Sequence, residues 1–256
     1  MSRLKITIAA GAIFMTLLSM NTNAQLDVYR SGGGEIIFSG ADVQFDNGTG
    51  IVDVNNRTRF TLFLHLQQWA NFDLNNTFGF LAGASIRNIG FIVEDYYQNV
   101  GFSNIDDTHP NWNKNTKIKR RSYALGFPLG IKIGDFDKNF FFYAGGEYEW
   151  MFHYKQKQFL DDNKTKFTQW NSPRVNTWNP SLFAGMQFPG GFNLKFRYYM
   201  KDFLNTDFRG MDFGQEVDYS QFQSSGIWYI SIGIMLNNKQ IKKMLDSEAF
   251  DKTAYR

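Results

Sequence analysis

Apolar and polar residues alternate with a period of two along most of this chain, and this pattern constrains the fold more than any other feature. Successive side chains of a β-strand point to opposite faces, so the pattern predicts strands rather than helices. One face of the clearest segment is apolar and comprises Tyr123, Leu125, Phe127, Leu129, Ile131 and Ile133. We predict eight strands, at about residues 35–45, 58–73, 78–96, 117–136, 139–158, 176–188, 191–204 and 226–236.

The direction in which a side chain points can be predicted only where the alternation is unbroken, and the third and fifth strands differ in this respect. In the third strand the phase slips near Asn88, which predicts a β-bulge there. In the fifth strand the alternation is read without a break. The face opposite Tyr154 then carries Glu147, Glu149, Met151, His153, Lys155 and Lys157.

Alternation alone would also suit a soluble sandwich or a lipocalin-like barrel, but strand length and aromatic placement favour a membrane barrel. Several predicted strands exceed about ten residues, enough to cross a bilayer at a tilt. Aromatic residues make up 18% of the chain, and they gather at both ends of the apolar face, as in outer-membrane girdles. The first group is Phe72, Phe78, Phe140, Phe142, Phe188 and Phe192. The second group is Tyr123, Trp150, Tyr154, Trp178 and Trp228.

The connections between strands alternate in length. Long connections are predicted at residues 46–57, 97–116, 159–175 and 205–225, and short ones around 75–76, 135–138 and 189–190. An even strand count with short periplasmic turns and long external loops is typical of outer-membrane proteins. The expected fold is therefore all-β: a closed eight-stranded antiparallel up-and-down transmembrane β-barrel, integral to the outer membrane, with both termini periplasmic.

The two ends of the sequence lie outside this barrel. Residues 1–24 have a short basic start, an apolar run at 6–18 and a small-residue ending, which predicts a secretory signal peptide cleaved before Gln25. An uncleaved membrane anchor is the alternative. The barrel is predicted at 25–236. Residues 237–256 are predicted to form a short periplasmic tail, in which Ile241, Met244, Leu245 and Ala249 have roughly helical spacing.

Composition excludes several classes of function. The chain has no cysteine, which rules out a disulfide framework, a thiolate metal site and a cysteine nucleophile. Of the 27 basic residues, Arg3 and Lys5 lie in the predicted signal peptide, so 25 basic residues remain against 24 acidic ones. A nearly neutral protein gives no reason to expect nucleic-acid binding.

The inward face is expected to be charged. Its predicted charge network comprises Arg87, Lys132, Glu147, Glu149, Lys195 and Arg197. Because an eight-stranded barrel is narrow, these charges should fill it with ion pairs rather than line a gated channel. The glycines expected to make room for the long side chains are Gly126, Gly130, Gly134, Gly145, Gly185 and Gly233.

Neither a cofactor nor a metal site is expected. His65 and His153 are predicted to point inward and His109 to lie in a loop, without the spacing of metal ligands. The acidic pairs at 106–107 and 161–162 could bind a cation, although solvated loop acids are the preferred explanation.

Catalysis is not expected either. Some small outer-membrane barrels modify lipids. The deacylase type needs a lipid-facing histidine with a serine, whereas both strand histidines are predicted inward. The palmitoyltransferase type holds an acyl chain in an apolar lumen, whereas this lumen is predicted to be charged. A G-x-S-x-G nucleophile motif is also absent from the sequence.

Basic residues at the outer margin are the most suggestive surface feature. The alternation of side chains along the fourth strand places Lys117, Lys119 and Arg121 on the outward face, at the height of the lipid headgroups. Lipopolysaccharide phosphates would be natural partners there. A second basic group around the third loop comprises Lys155, Lys157, Lys164, Lys166 and Arg174. Ordinary solvated loop ends are the alternative. The loop aromatics expected to anchor a partner, or to pack the loops together, are Trp112, Trp170, Phe208, Phe213 and Phe222.

Three sequence stretches carry a family resemblance: residues 120–129 (RRSYALGFPL), 145–149 (GGEYE) and 87–91 (RNIGF). With them the chain resembles the small outer-membrane barrels grouped as OmpA-like or PorT-like. The resemblance implies an eight-stranded barrel and brings no catalytic residues. We therefore expect a non-enzymatic protein with a structural, adhesive or partner-docking role through its loops, in contact with outer-membrane lipid and lipopolysaccharide. The alternatives are an accessory barrel of a secretion or envelope-assembly machine with an envelope protein partner, a lipid-modifying enzyme, or a narrow pore.

Overall fold

The computed structural model describes residues 26–48, 50–54, 56–62, 65–94, 116–161, 163–212, 214–238 and 241–242. Its strands are β1 (Asp27–Asp46), β2 (Ile51–Asp53), β3 (Asn56–Arg57), β4 (Arg59–Thr61), β5 (Leu66–Asp73), β6 (Phe78–Glu94), β7 (Thr116–Asp135), β8 (Phe140–Leu160), β9 (Asn163–Trp170), β10 (Trp178–Gln187), β11 (Phe192–Tyr199), β12 (Arg209–Asp212), β13 (Gln215–Asp218) and β14 (Phe222–Asn237). Several predicted features lie outside the described residues: the signal peptide, Asp106, Asp107, His109, Trp112, Asp162 and Phe213.

The barrel wall has eight strand positions, which we call staves, and they form a closed ring. Each stave pairs antiparallel with the next in the order β1, β5, β6, β7, β8, β10, β11 and β14, and β14 pairs back to β1. The short strand β4 belongs to the same stave as β5, because both pair with β1. The predicted closed eight-stranded antiparallel barrel is therefore confirmed. The first stave begins earlier than predicted, at Asp27 rather than near residue 35.

The barrel has one end with tight turns and one with long connections. Tight turns at 74–77, 136–139 and 188–191 join neighbouring staves, and Gly190 takes a φ of 82° that favours glycine. Both chain ends of the barrel lie at this end, since Asp27 pairs with Asp73 and Asn237 pairs with Ser31. Beyond β14, residues 238, 241 and 242 have helical backbone geometry.

The outward face of the staves is apolar and exposed. Leu129 and Ile234, for example, expose 67% and 60% of their surface. A face of this kind would be unfavourable in water and is the lipid-facing belt of a transmembrane barrel. Aromatic contacts border the belt, with Phe140 and Phe188 5.8 Å apart at the tight-turn end and Trp150 and Trp178 6.2 Å apart toward the other. Within the described ranges, no helix is long and apolar enough to cross a membrane.

The predicted bulge near Asn88 is wrong. Pairing between β6 and β7 continues in one register from Phe78↔Ile133 to Glu94↔Lys117. The irregularity lies in the neighbouring stave. Arg57 pairs with Ile92 and Leu66 pairs with Ile86, so an advance of nine residues in that stave is opposed by an advance of six residues in β6. Sequence alternation could not reveal this, because residues 87–93 of β6 are buried on both faces.

A bulge does occur where none was predicted, in β8. Tyr123 pairs with His153 whereas the next residue, Ala124, pairs with Met151, so Phe152 is an extra residue. Beyond it the side-chain directions are reversed: Tyr154 is buried, and His153 stacks on the outward-facing Tyr123. The predictions that His153, Lys155 and Lys157 point inward, and that Tyr154 belongs to the outer girdle, are therefore wrong.

Candidate functional site

A layer of buried charges crosses the middle of the lumen. Arg87 donates from Nε to Glu35 Oε1 at 2.9 Å and from Nη1 to Oε1 of Glu147 and of Glu149, at 2.5 and 3.0 Å. Arg197 also contacts both Glu147 and Glu149, and Lys195 Nζ lies 2.8 Å from Glu35 Oε2. Three carboxylates thus face three cations, so the layer is neutral.

This layer unites five of the six residues predicted for the network and separates the sixth. Lys132 lies in its own cluster, 2.6 Å from Asp73 Oδ1 and 2.6 Å from the Tyr29 hydroxyl. The sequence reasoning missed Glu35, because the first strand was started at that residue and its parity was not followed. A longer first strand would have shown Glu35 alternating on the inward face.

A glycine is required beside the layer. A Cβ atom at Gly126 would lie 1.9 Å from Glu147 Oε1 and 2.6 Å from Ser85 Oγ. The predicted role of this glycine, making room for long side chains, matches that geometry. Larger side chains here would displace Glu147 from both of its arginines.

The outer part of the interior contains a packed hydrophobic core. This core includes Phe45, Phe91, Phe203, Tyr219 and Phe222. The lumen is therefore charged only in part. Of the two roles predicted for Phe208 and Phe222, the structure supports packing of the loops rather than exposed anchors, because they are 9% and 2% exposed and pack into this core.

Asp212 holds the loop between β11 and β14 onto this interior through hydrogen bonds, and we call this arrangement the clasp. Asp212 lies at the end of β12, which forms a hairpin with β13. Its carboxylate accepts hydrogen bonds from Arg174 Nε at 2.7 Å, the Tyr219 hydroxyl at 2.5 Å and Gln156 Nε2 at 3.2 Å. The Arg174 guanidinium lies 4.3 Å from the ring centre of Phe167 in β9 and 4.6 Å from that of Phe208. The clasp thus connects the hairpin to β9.

One small cavity is found where the described residues close the tight-turn end of the barrel. The cavity at its tight-turn mouth, beside Tyr29, Asn71 and Asn139, measures about 10 Å³. A volume of this size holds about one water molecule. A charged layer, an apolar core and a clasped hairpin therefore act together as a plug.

At the end with the long connections, β7 and β8 continue beyond the aromatic belt and form a three-stranded sheet with β9. We define its cationic face as Lys117, Lys119, Arg121, Lys155, Lys157, Lys164 and Lys166. The pairing register arranges them in rows, since directly paired residues share a face. Lys119, Lys157 and Lys166 form one row. Arg121, Lys155 and Thr168 form the next.

The cationic face exists because of the β8 bulge. The bulge turns Lys155 and Lys157 outward, between the lysines of β7 and those of β9. Lys117 also lies 2.9 Å from Glu94, which is shared with Arg57 at 3.4 Å. For Lys157, beyond the membrane-spanning part, partial burial and the nearby charges of Lys164 and Arg121 lower the pKa below its ordinary value. The face therefore concentrates positive charge that a bound anion would relieve.

An aromatic row lies directly below the cationic face. We define the aromatic slab as Tyr123, Phe152, His153 and Trp170. His153 lies 5.7 Å from Tyr123 with the rings 14° apart, and 4.7 Å from Trp170. Phe152 and Trp170 are 5.6 Å apart with their rings 25° apart.

These positions bear on catalysis and metal binding. His153 faces outward, contrary to the prediction, yet its neighbours on either side are Tyr123 and Trp170, which offer no serine nucleophile. His65 lies buried in the barrel, where its Nδ1 accepts a hydrogen bond from the Asn88 backbone N–H at 3.4 Å. Across the part of the chain that the structure describes, no group of three or more His, Cys, Asp or Glu side chains could hold a metal ion.

Comparisons with known proteins bear on the fold alone. No protein-family model and no curated protein matches the sequence. Among solved structures, the chain is similar to Ail, the attachment invasion locus protein of Yersinia pestis, with 12% identity over 82% of this chain and 97% of that chain and a TM-score of 0.30. Neisserial surface protein A is 10% identical over 82% of this chain and 96% of that one, with a TM-score of 0.33. OprG from Pseudomonas aeruginosa is 10% identical over 82% and 95%, with a TM-score of 0.34. These neighbours are small outer-membrane β-barrel proteins.

Proposed function

We propose that this chain is a non-enzymatic outer-membrane protein that works through its external surface, where the cationic face binds the phosphate groups of lipopolysaccharide. The observation that carries the proposal is the gathering of seven cations on one face of three neighbouring strands. Neighbouring strands lie about 5 Å apart, and every second residue along a strand lies about 7 Å apart. One phosphate group can therefore be contacted by two or more cations at once.

The height of the cationic face on the barrel supports lipopolysaccharide as the partner. Aromatic girdles mark the interface of an outer-membrane barrel, and Trp150 and Trp178 occupy that position here. The cationic face begins above them, where phosphorylated headgroups lie. Lysine stems can rest against the wall while their ammonium groups reach the phosphates.

The plugged lumen supports a role on the outside rather than transport. Each charge of the central layer has an opposite charge within hydrogen-bond distance, which gives the layer a structural role in this proposal. A pore would need these pairs to part. Among the described residues, the central layer and the hydrophobic core occupy the space that an acyl chain would need, which supports the non-enzymatic assignment.

The second candidate is an accessory barrel of a secretion or envelope-assembly machine, as the PorT-like resemblance implies. Strand β9 favours it, because most of its eight residues are exposed and Trp170 exposes 67% of its surface. Crosslinking in intact cells through a cysteine at Thr165 tests this candidate. Recovery of the barrel without any envelope protein would count against it.

The proposal requires the long loops to lie outside the cell and both termini in the periplasm. The chain has no cysteine, so single cysteines report position without background. We expect Thr165→Cys in β9 to react with a membrane-impermeant maleimide in intact cells. Lys138→Cys, exposed in a tight turn, should react only after the outer membrane is opened. The opposite labelling pattern would invert the barrel and remove the cationic face from lipopolysaccharide.

Removing the central charges of the cationic face should weaken lipopolysaccharide binding strongly. We expect the triple variant Lys119→Ala, Lys155→Ala, Lys157→Ala to lose affinity on the order of 100-fold, since each cation near an anionic surface contributes about 1 kcal/mol. Titration of the detergent-solubilised barrel with lipopolysaccharide at two salt concentrations measures this loss, and the salt dependence should shrink with it.

A matched control removes three cations elsewhere. Arg30, Lys138 and Lys201 are exposed and lie outside the cationic face. Replacing all three with alanine changes the net charge equally and should leave the affinity near that of the unaltered protein. Equal losses in the two triple variants would mean that net charge, rather than this face, determines binding.

A further inference from the structure

We infer that the aromatic slab binds a sugar ring, so that the ligand of this surface is a phosphorylated sugar rather than any polyanion. This inference rests on the proposed function and narrows its ligand class. It concerns four rings that lie beside the cations rather than the cations themselves.

The register places the slab within reach of a phosphate on the cationic face. The row Tyr123–His153–Trp170 lies directly below the row Arg121–Lys155–Thr168. Two such rows lie about 7 Å apart, so a sugar ring packed on the slab brings a phosphate attached to it within reach of the ammonium and guanidinium groups of the next row. The Arg121 guanidinium lies 5.7 Å from the Tyr123 ring, so charge and ring surface are continuous.

Three ring pairs of the slab are close to parallel, whereas the rings of His153 and Trp170 are 55° apart. Trp170 exposes 67% of its surface and so offers a ring to a ligand. The rings of Tyr123 and Phe152 are 24° apart, and those of Phe152 and Trp170 are 25° apart. The apolar C–H face of a sugar packs on aromatic faces of this kind, while its hydroxyls remain free for polar neighbours. Thr168, beside Trp170, and Lys155 provide such neighbours.

The slab differs from the girdle below it in its position. Girdle rings such as Trp150 and Trp178 lie on barrel staves, whereas Trp170 lies on β9, which is outside the ring of staves. The β8 bulge brings Phe152 and His153 side by side on the outward face. Bulges often redirect side chains at functional sites. A girdle alone requires neither the bulge nor a tryptophan on β9.

The test compares two soluble anions with the purified full-length barrel in detergent. Deacylated lipopolysaccharide keeps the phosphorylated sugars and lacks acyl chains, whereas inorganic polyphosphate has the charge without sugars. We expect Trp170→Leu to weaken binding of deacylated lipopolysaccharide about threefold to tenfold, as the loss of one aromatic contact implies, and to leave polyphosphate binding unchanged. Trp178→Leu, in the girdle, should change neither affinity, and heat-modifiable gel mobility verifies folding of both variants.

Each other outcome overturns the inference in a distinguishable way. Unchanged binding of both anions by Trp170→Leu, and by a second variant, His153→Leu, would show that the slab does not contact the ligand. Equal weakening for both anions would show that the slab only supports the cations. In either case the proposed phosphate binding survives. Failure of the unaltered barrel to bind either anion would overturn the proposed function and this inference together.

Discussion

Replacing Arg87 with methionine is expected to lower the free energy of unfolding by about 3–5 kcal/mol. Arg87 is buried and contacts Glu35, Glu147 and Glu149 at 2.9, 2.5 and 3.0 Å. Its removal leaves three carboxylates against the two remaining cations of the layer. The extra negative charge is held where water cannot solvate it, and a buried charge without a partner is costly.

Arg57→Met is the matched control. Arg57 also pairs with a glutamate, but its side chain is 66% exposed and 3.4 Å from Glu94. Exposed pairs of this kind contribute about 0–1 kcal/mol, so the control should remain close to the unaltered barrel. Urea titration in lipid vesicles, followed by tryptophan fluorescence, measures both variants. Similar losses for the two arginines would show that the charge layer is not the stabilising element proposed here.

A second substitution distinguishes charge imbalance from lost packing. Adding Glu147→Gln to Arg87→Met restores equal numbers of buried charges, and part of the lost stability should return. Purely additive losses would indicate that the two residues act independently. Arg197 contacts both Glu147 and Glu149 and would then pair with Glu149 alone.

The barrel itself could be predicted from the sequence because its determinants are local and repetitive. Alternation shows which residues face lipid, and connection length separates the two ends. Where both faces of a strand are buried, as at 87–93 of β6, alternation no longer identifies the outward face. The alternation therefore predicts a bulge in β6, whereas the irregularity lies in the neighbouring stave, between β3 and β5.

The candidate site was only partly predictable, because a single inserted residue decides it. Lys117, Lys119 and Arg121 lie on β7, where pairing with β6 is regular, and parity alone placed them outward. Lys155 and Lys157 follow Phe152, and no glycine or proline in that part of β8 marks the bulge. An alternation read through Phe152 without a break predicts that both lysines point inward, so it does not predict the complete cationic face. Only pairing with β7 reveals the extra residue.

Tertiary folding of the last loop was likewise out of reach of local patterns. Phe208 and Phe222 belong to a segment of mixed polarity that sequence alone treats as exposed. Phe208 packs on Arg174 and Phe222 packs on Phe45, both distant in sequence. Asp212 joins Arg174 to Tyr219. A single aspartate in a loop carries no local signal of such a role.

Asp212→Ala is therefore expected to release the β12–β13 hairpin while the barrel remains folded. The substitution removes the acceptor of the hydrogen bonds from Arg174, Tyr219 and Gln156, and it leaves a buried arginine without its carboxylate. Loss of such a partner should speed trypsin cleavage at Arg209 on the order of 100-fold, when cleavage follows local opening. Glu216→Ala is the control, because it removes an exposed carboxylate from the same hairpin.

The same variant connects the interior of the loops to the cationic face. Arg174 packs on Phe167, the inward-facing neighbour of Lys166 and Thr168 in β9. When the clasp opens, β9 loses this support, so Lys164 and Lys166 should hold their positions less well. We expect Asp212→Ala to weaken lipopolysaccharide binding severalfold although it removes no cation. Removing a negative charge would by itself strengthen binding to an anion, so stronger binding by this variant would show that β9 does not depend on the clasp.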